Sequence, residues 1–158
     1  MTCAVFGFAE CREQAGALAR ELGVPAHEVA VRAFPDGESL VQVPSRAQTA
    51  ILYRSLDNPN ARLVELLLAA SALRDGGARR VVLVAPYLAY MRQDMAFNPG
   101  EAVSQRVIGR LIADHFDALA TIDPHLHRVA TLGEAVPGIP ALALSAAPLL
   151  ASQRRDAG

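Results

Sequence analysis

The chain has 158 residues, 52% of them hydrophobic, and a formal net charge of −1. That length suits one globular domain with a full core, and the near-neutral charge excludes a global field drawing the chain to nucleic acid or an anionic membrane. All 15 basic residues are Arg, which excludes a Walker A loop, a Schiff-base lysine and a kinase-type β3 lysine. Phosphate handled by this segment has to meet Arg, backbone N–H groups or metal.

In chain order, Cys3–Phe8 is a compact apolar run and reads as a core strand. Residues 10–22 have helical spacing ended by Gly23 and Pro25. Two short strands, 29–33 and 40–43, flank the turn signal Pro35-Asp36-Gly37, giving a hairpin whose tip carries Phe34 and Glu38. A strand at 49–54 leads to an amphipathic helix at 60–75 with an apolar face of Leu63, Leu66, Leu67, Ala70 and Leu73, ended by Gly76-Gly77. The β-branched run 81–85 predicts a strand buried on both faces of a parallel sheet. A polar loop at 87–100 precedes a helix at Ser104–His115, a strand at Ala118–Ile122, a strand at 139–144 and a helix starting over 146–155. The alternation predicts an α/β fold, an open and mostly parallel sheet flanked by helices.

The only cysteines, Cys3 and Cys11, have no metal-ligand spacing, and two thiols in so apolar a chain suggest a reducing compartment. The N-terminus lacks the pattern of a secretory leader, and no stretch reaches the ~18 apolar residues of a membrane span. The expected location is cytoplasmic, with no nucleic-acid or membrane partner.

Ligands of open α/β sheets bind beyond the carboxyl ends of strands. That rule selects two loops. After the 81–85 strand come Tyr87, Tyr90, Arg92, Gln93 and Asp94; after Ala118–Ile122 come Asp123, His125 and His127. The Arg fork suits phosphate oxygens, and the Gln amide suits a base or a bridging oxygen; the plain alternative is a solvated loop with an Arg92–Asp94 pair. Asp123 and His125 could ligate a divalent ion or touch a transferred phosphoryl group, although imidazole matches Mg²⁺ poorly. His115 and His127 read as surface or packing residues. At the hairpin tip, Phe34 could stack on a base while Asp36 and Glu38 accept from its donors; the alternative is a simple turn with Phe34 tucked into the core.

Taken together, Phe34-Pro35-Asp36-Gly37-Glu38, Asn60 with Glu65-Leu66-Leu67, the stretch Ala85-Pro86-Tyr87-Leu88-Ala89-Tyr90-Met91-Arg92-Gln93-Asp94, and Asp123-Pro124-His125 resemble the ribose-phosphate pyrophosphokinase family. The resemblance implies a domain like a type I phosphoribosyltransferase. It implies a transferase of nucleotide biosynthesis that passes pyrophosphate from Mg-ATP to the 1-hydroxyl of ribose 5-phosphate, with Mg²⁺ as cofactor and AMP as by-product. It implies that Phe34, Asp36 and Glu38 grip adenine from a neighbouring subunit in a homo-oligomer. It further implies that Arg92, Gln93 and Asp94 bind the nucleotide, and that His125 is the catalytic residue, holding metal together with Asp123.

The text after Asp94 (Met95-Ala96-Phe97-Asn98-Pro99-Gly100-Glu101) resembles archaeal-type and divergent bacterial members, and His127-Arg128 departs from the commoner wording. The family's ribose-phosphate loop of paired aspartates has no counterpart in the sequence. The expected organisation is therefore an ATP-binding domain over 1–145, with 146–158 leading toward a missing second domain, in a chain unable to complete the transfer alone. The alternative is a non-catalytic nucleotide-binding or regulatory relative that assembles with a full-length synthetase.

Overall fold

The computed structural model describes residues 2–148 and 151. Its elements are β1 (Cys3–Phe8), α1 (Arg12–Leu22), β2 (Ala26–Ala33), β3 (Ser39–Gln42), β4 (Thr49–Tyr53), α2 (Pro59–Asp75), β5 (Arg80–Val84), α3 (Ser104–His115), β6 (Ala118–Ile122), α4 (Leu132–Ala135) and β7 (Ala141–Leu144). The strands form one sheet in the order β3-β2-β1-β4-β5-β6-β7, and every neighbouring pair is parallel except β2 with β3. The expected open α/β sheet is the observed one. The helix expected over 146–155 falls mostly outside the described residues.

Crossovers between parallel strands are right-handed, so the direction in which the sheet grows decides where each helix lies. From β1 the chain steps outward to β2; from β4 it steps the other way through β5, β6 and β7. Helix α1 therefore covers one face and α2 and α3 the opposite one. Side-chain alternation along β1 records the split. Val5 packs with Ala15 and Ala19 of α1, while Ala4, Phe6 and Phe8 join Leu52, Leu63, Leu66, Leu83 and Ile112 in the main core.

On α2 the buried residues are Leu63, Leu66, Ala69, Ala70 and Leu73. Leu67, expected on that face, is only half-buried and Ala69 takes its place. The β5 run is likewise less enclosed than expected. Val81 and Leu83 are fully buried, whereas Val82 and Val84 are half-buried. They point to the α1 side, and α1 packs on β1 and β2 rather than β5. The short α4 was not anticipated, because a four-residue helix has too little sequence to show a period.

Helix α1 ends at Gly23 with φ +64°, a left-handed position suited to glycine. Gly109 of α3 answers a different need, since a Cβ there would overlap the Ala135 carbonyl oxygen. Overfilled cores lose stability, so Gly109→Ala is expected to destabilise the fold by about 2–3 kcal/mol. Urea melts followed by circular dichroism would read the loss, and an unchanged midpoint would show that α4 yields freely.

Candidate functional site

The carboxyl edge of the sheet carries all three segments singled out by sequence. Phe34 follows β2, Tyr87 follows β5 and Asp123 follows β6, and these strands run in the same direction. The sheet order reverses between β1 and β4, where a ligand would ordinarily be sought. Here Arg54 fills the place. Its side chain is only 5% exposed, with Nε 2.8 Å from Glu10 and Nη2 2.6 Å from Glu65. Nη1 donates to the Arg62 carbonyl at 3.1 Å, and Cζ lies 3.8 Å over the Phe8 ring. Neither Arg54 nor Glu10 was anticipated from sequence; an Arg placed directly after an apolar strand was the available signal.

One crevice further along, the loops after β5 and β6 face each other. Tyr87, Leu88, Met91 and Arg92 from one loop, and Ile122, Asp123, Pro124 and His125 from the other, line a cavity of about 240 Å³. The first loop is tightly anchored. Leu88, Ala89 and Met91 are buried in the core, and the Gln105 amide donates to Met91 O at 3.1 Å. The Gln105 N–H donates to Gln93 O at 3.1 Å. Tyr90 takes a left-handed φ of +64°, and its hydroxyl donates to Asn60 Oδ1. The second loop holds Asp123 at φ +41°. The Asp123 N–H donates to Leu144 O at 2.8 Å, and its Oδ2 accepts from Ala146 N–H at 2.9 Å. Residues held at positive φ persist only where their surroundings fix them, and they cluster at working sites.

The predicted residues part company here. Arg92 is exposed and Gln93 half-buried, and Arg92 shares the cavity with Asp123 and His125. Asp94 does not line it. Its side chain is only 1% exposed and pairs with Arg128 Nη1 at 2.7 Å, not with Arg92. Its Oδ2 is buried with no hydrogen-bond partner among the described residues. His125 meets His127 edge to face at 4.0 Å between ring centroids, and no hydrogen bond joins it to Asp123 among the described residues. His115 is exposed, as expected, with Nδ1 2.9 Å from Leu111 O.

Among the described residues no group of three or more His, Cys, Asp or Glu side chains gathers as a metal cage. Asp123 and His125 both line the cavity; a carboxylate is a ligand type that suits Mg²⁺, whereas an imidazole suits it poorly.

The hairpin tip is a turn closed by Gly37 N–H to Phe34 O at 3.0 Å and by Phe34 N–H to Glu38 O at 2.7 Å. Asp36 Oδ1 accepts from the Glu38 N–H at 3.1 Å. Phe34 is 36% exposed rather than tucked into the core, and Arg32 Cζ sits 4.9 Å from its ring centre. Four strand spacings separate β2 from β6, about 19 Å at roughly 4.8 Å each. None of Phe34, Asp36 and Glu38 lines the cavity.

A family model described as the N-terminal domain of ribose phosphate pyrophosphokinase matches residues 3–115. A ribose-phosphate pyrophosphokinase of Halobacterium salinarum is 38% identical over 140 residues, which cover 87% of this chain and 48% of that protein. One from Methanopyrus kandleri is 40% identical over 110 residues, covering 68% of this chain and 38% of that protein. The crystal structure of phosphoribosylpyrophosphate synthetase from Mycobacterium smegmatis superposes with a TM-score of 0.85 at 26% identity, covering 99% of this chain and 52% of that one. The chain spans about half the length of the relatives it matches. Among the described residues, no helix is long and apolar enough to cross a membrane.

Beside the cavity loop, Glu101 accepts from the Asn98 amide at 2.6 Å and from the Phe97 N–H at 2.8 Å. These bonds, the Asn98 amide first, hold its carboxyl below the usual carboxylate range. A lowered folded value means the bonds are at full strength above the ordinary pKa of 4.5 and are lost as pH falls through the lower folded value. The Phe97 amide resonance should therefore titrate with a midpoint below 4.5, and Glu101→Gln should abolish that titration. A flat Phe97 signal in the unmodified chain from about pH 6 to about pH 3 would remove Glu101 as the closure of this loop.

Proposed function

The chain belongs to the ribose-phosphate pyrophosphokinase family, and on that premise we propose that it forms the nucleotide side of the active site. The reaction passes pyrophosphate from Mg-ATP to the 1-hydroxyl of ribose 5-phosphate, giving phosphoribosyl pyrophosphate and AMP. The 1–145 segment is the ATP-binding domain; ribose 5-phosphate is held mainly by sequence outside this chain. The observation that carries the reading is that two strand-end loops bring Arg92 and His125 onto one cavity.

Phosphoryl-type transfer needs positioning and charge neutralisation more than covalent help. Arg92 is exposed at the cavity and brings a permanent charge and a planar fork to triphosphate oxygens. Gln93 fixes the orientation of the nucleotide. His125 donates to a phosphate oxygen from the opposite wall and is the catalytic residue. Asp123 and His125 would hold Mg²⁺, which supplies charge neutralisation when bound. Asp94 serves this site through the loop it anchors.

Phe34, Asp36 and Glu38 recognise adenine for a neighbouring protomer. The distance across the sheet supports that division, as do the exposed apolar residues Val31, Leu40, Val64 and Leu68 around the hairpin, a surface suited to a second copy. We place the enzyme in the cytoplasm, consistent with its free thiols, Cys3 half-buried and Cys11 buried.

Calorimetric titration of Mg-ATP tests the assignment. Arg92→Ala should weaken binding by about 10- to 100-fold, the worth of hydrogen bonds to a charged group. Phe34→Ala should weaken it by about tenfold, but only at protein concentrations where the chain self-associates. Unchanged affinity in both variants would overturn the assignment.

A further inference from the structure

Asp94 and Arg128 form the one ion pair, among the described residues, that joins a side chain of the first cavity loop to a side chain of the second. The carboxylate is 1% exposed and the guanidinium 50% exposed, with 2.7 Å between Oδ1 and Nη1. The other carboxylate oxygen is buried and has no partner among the described residues. A buried charge with one satisfied oxygen is costly to keep, and apolar packing at this place would avoid the cost. The arrangement calls for a role beyond filling space.

Its position supplies one. Asp94 lies two residues after Arg92, and Arg128 three residues after His125. Each partner is tied into its own surroundings. The chain around Asp94 is held by the Gln105 bonds to Met91 and Gln93. Arg128 also lies over the Phe97 ring, with Cζ 5.6 Å from its centre, and Phe97 is fixed through its N–H to Glu101 at 2.8 Å.

We propose that Asp94 and Arg128 are a latch that holds the two cavity loops at a fixed separation, making both residues positioning residues for Arg92 and His125. Neither touches the ligand; Arg128 acts on the site through Asp94. The claim deepens the nucleotide-binding reading and rests on it for its functional consequence, though the latch itself is independent of any ligand.

Hydrogen exchange by mass spectrometry on the unliganded chain tests the latch first. Asp94→Asn and Arg128→Gln should each accelerate exchange in both loops, 87–100 and 123–131, by about tenfold or more. Acceleration confined to the substituted residue's own loop would overturn the latch. The imidazole nitrogen resonances of His125 should move in the same direction in both variants, a response that general loss of stability does not produce. Stationary resonances would count against it.

Mg-ATP titration well below each variant's melting temperature follows. Each single variant should bind about five- to tenfold more weakly, and the double variant no more weakly than the worse single one. Arg128→Lys, which keeps the charge, should recover part of the loss. Weakened binding in Arg128→Gln with normal binding in Asp94→Asn would overturn the latch and make Arg128 a direct phosphate ligand. If the unmodified chain fails to bind Mg-ATP, the nucleotide reading falls, while the exchange result still decides the latch.

Discussion

The buried guanidinium of Arg54 is the constraint around which this carboxyl edge is organised. Removing such a charge from water costs several kcal/mol, recovered only with well-placed counter-charges. Glu10 from the end of β1 and Glu65 from α2 provide them, and Arg62 bridges back to Glu10 at 3.6 Å. Loss of either carboxylate would leave the buried guanidinium with one counter-charge in place of two, so the segments following β1 and β4 and the helix α2 are bound to one geometry. Glu65 carries the constraint further, because its second oxygen accepts from Ser39 Oγ at 3.0 Å, beside the hairpin turn. The crevice at the change of strand order is thereby closed by protein, while a cavity of about 240 Å³ opens between the β5 and β6 loops.

With no lysine in the chain, permanent side-chain positive charge at that space comes from Arg92, whose stem and fork have to be aimed by the backbone. The loops meet that need by rigidity. Buried Leu88, Ala89 and Met91 alternate with outward residues, so Arg92 emerges at a place set by three core contacts. The positive φ values at Tyr90 and Asp123 turn the chain sharply at both walls, each held by hydrogen bonds to neighbouring segments. Local strain of this kind is affordable only because the flanking strands are fully paired.

Most of the fold was legible because it rests on local signals. Cys3–Phe8, Ser104–His115 and Ala118–Ile122 have the bounds read from sequence, since apolar runs and glycine or proline punctuation mark them directly. Burial on individual faces was less legible. Leu67 and Ala69 are both compatible with the helical period, and the choice between them depends on how α2 sits on the sheet, which one sequence does not encode locally. The site divides the same way. Arg92 and His125 could be placed at one edge of the sheet because each follows a strand, and both line the same cavity. The pairing of Asp94 with Arg128 was not legible, because the partner is brought to it across 34 positions. Arg54 went unnoticed for the same reason, its partners being supplied by tertiary structure.

The hairpin explains why an incomplete site need not be a defective one. An aromatic ring left 36% exposed at a turn gains little for the fold that carries it, and Arg32 shields it from one direction only. The turn is nonetheless well built, with Asp36 bonded to the backbone of Glu38 and the hairpin tied through Ser39 to the Arg54 network. Rigidity without self-burial is the expected form of a surface whose counterpart lies elsewhere, because ordering it beforehand lowers the entropy cost of binding. The strand order puts β2, which carries this tip, four positions from β6 in the sheet, about 19 Å at roughly 4.8 Å per strand. On the proposed reading the tip of one copy and the cavity of another share the nucleotide, and association is then part of recognition rather than an addition to it.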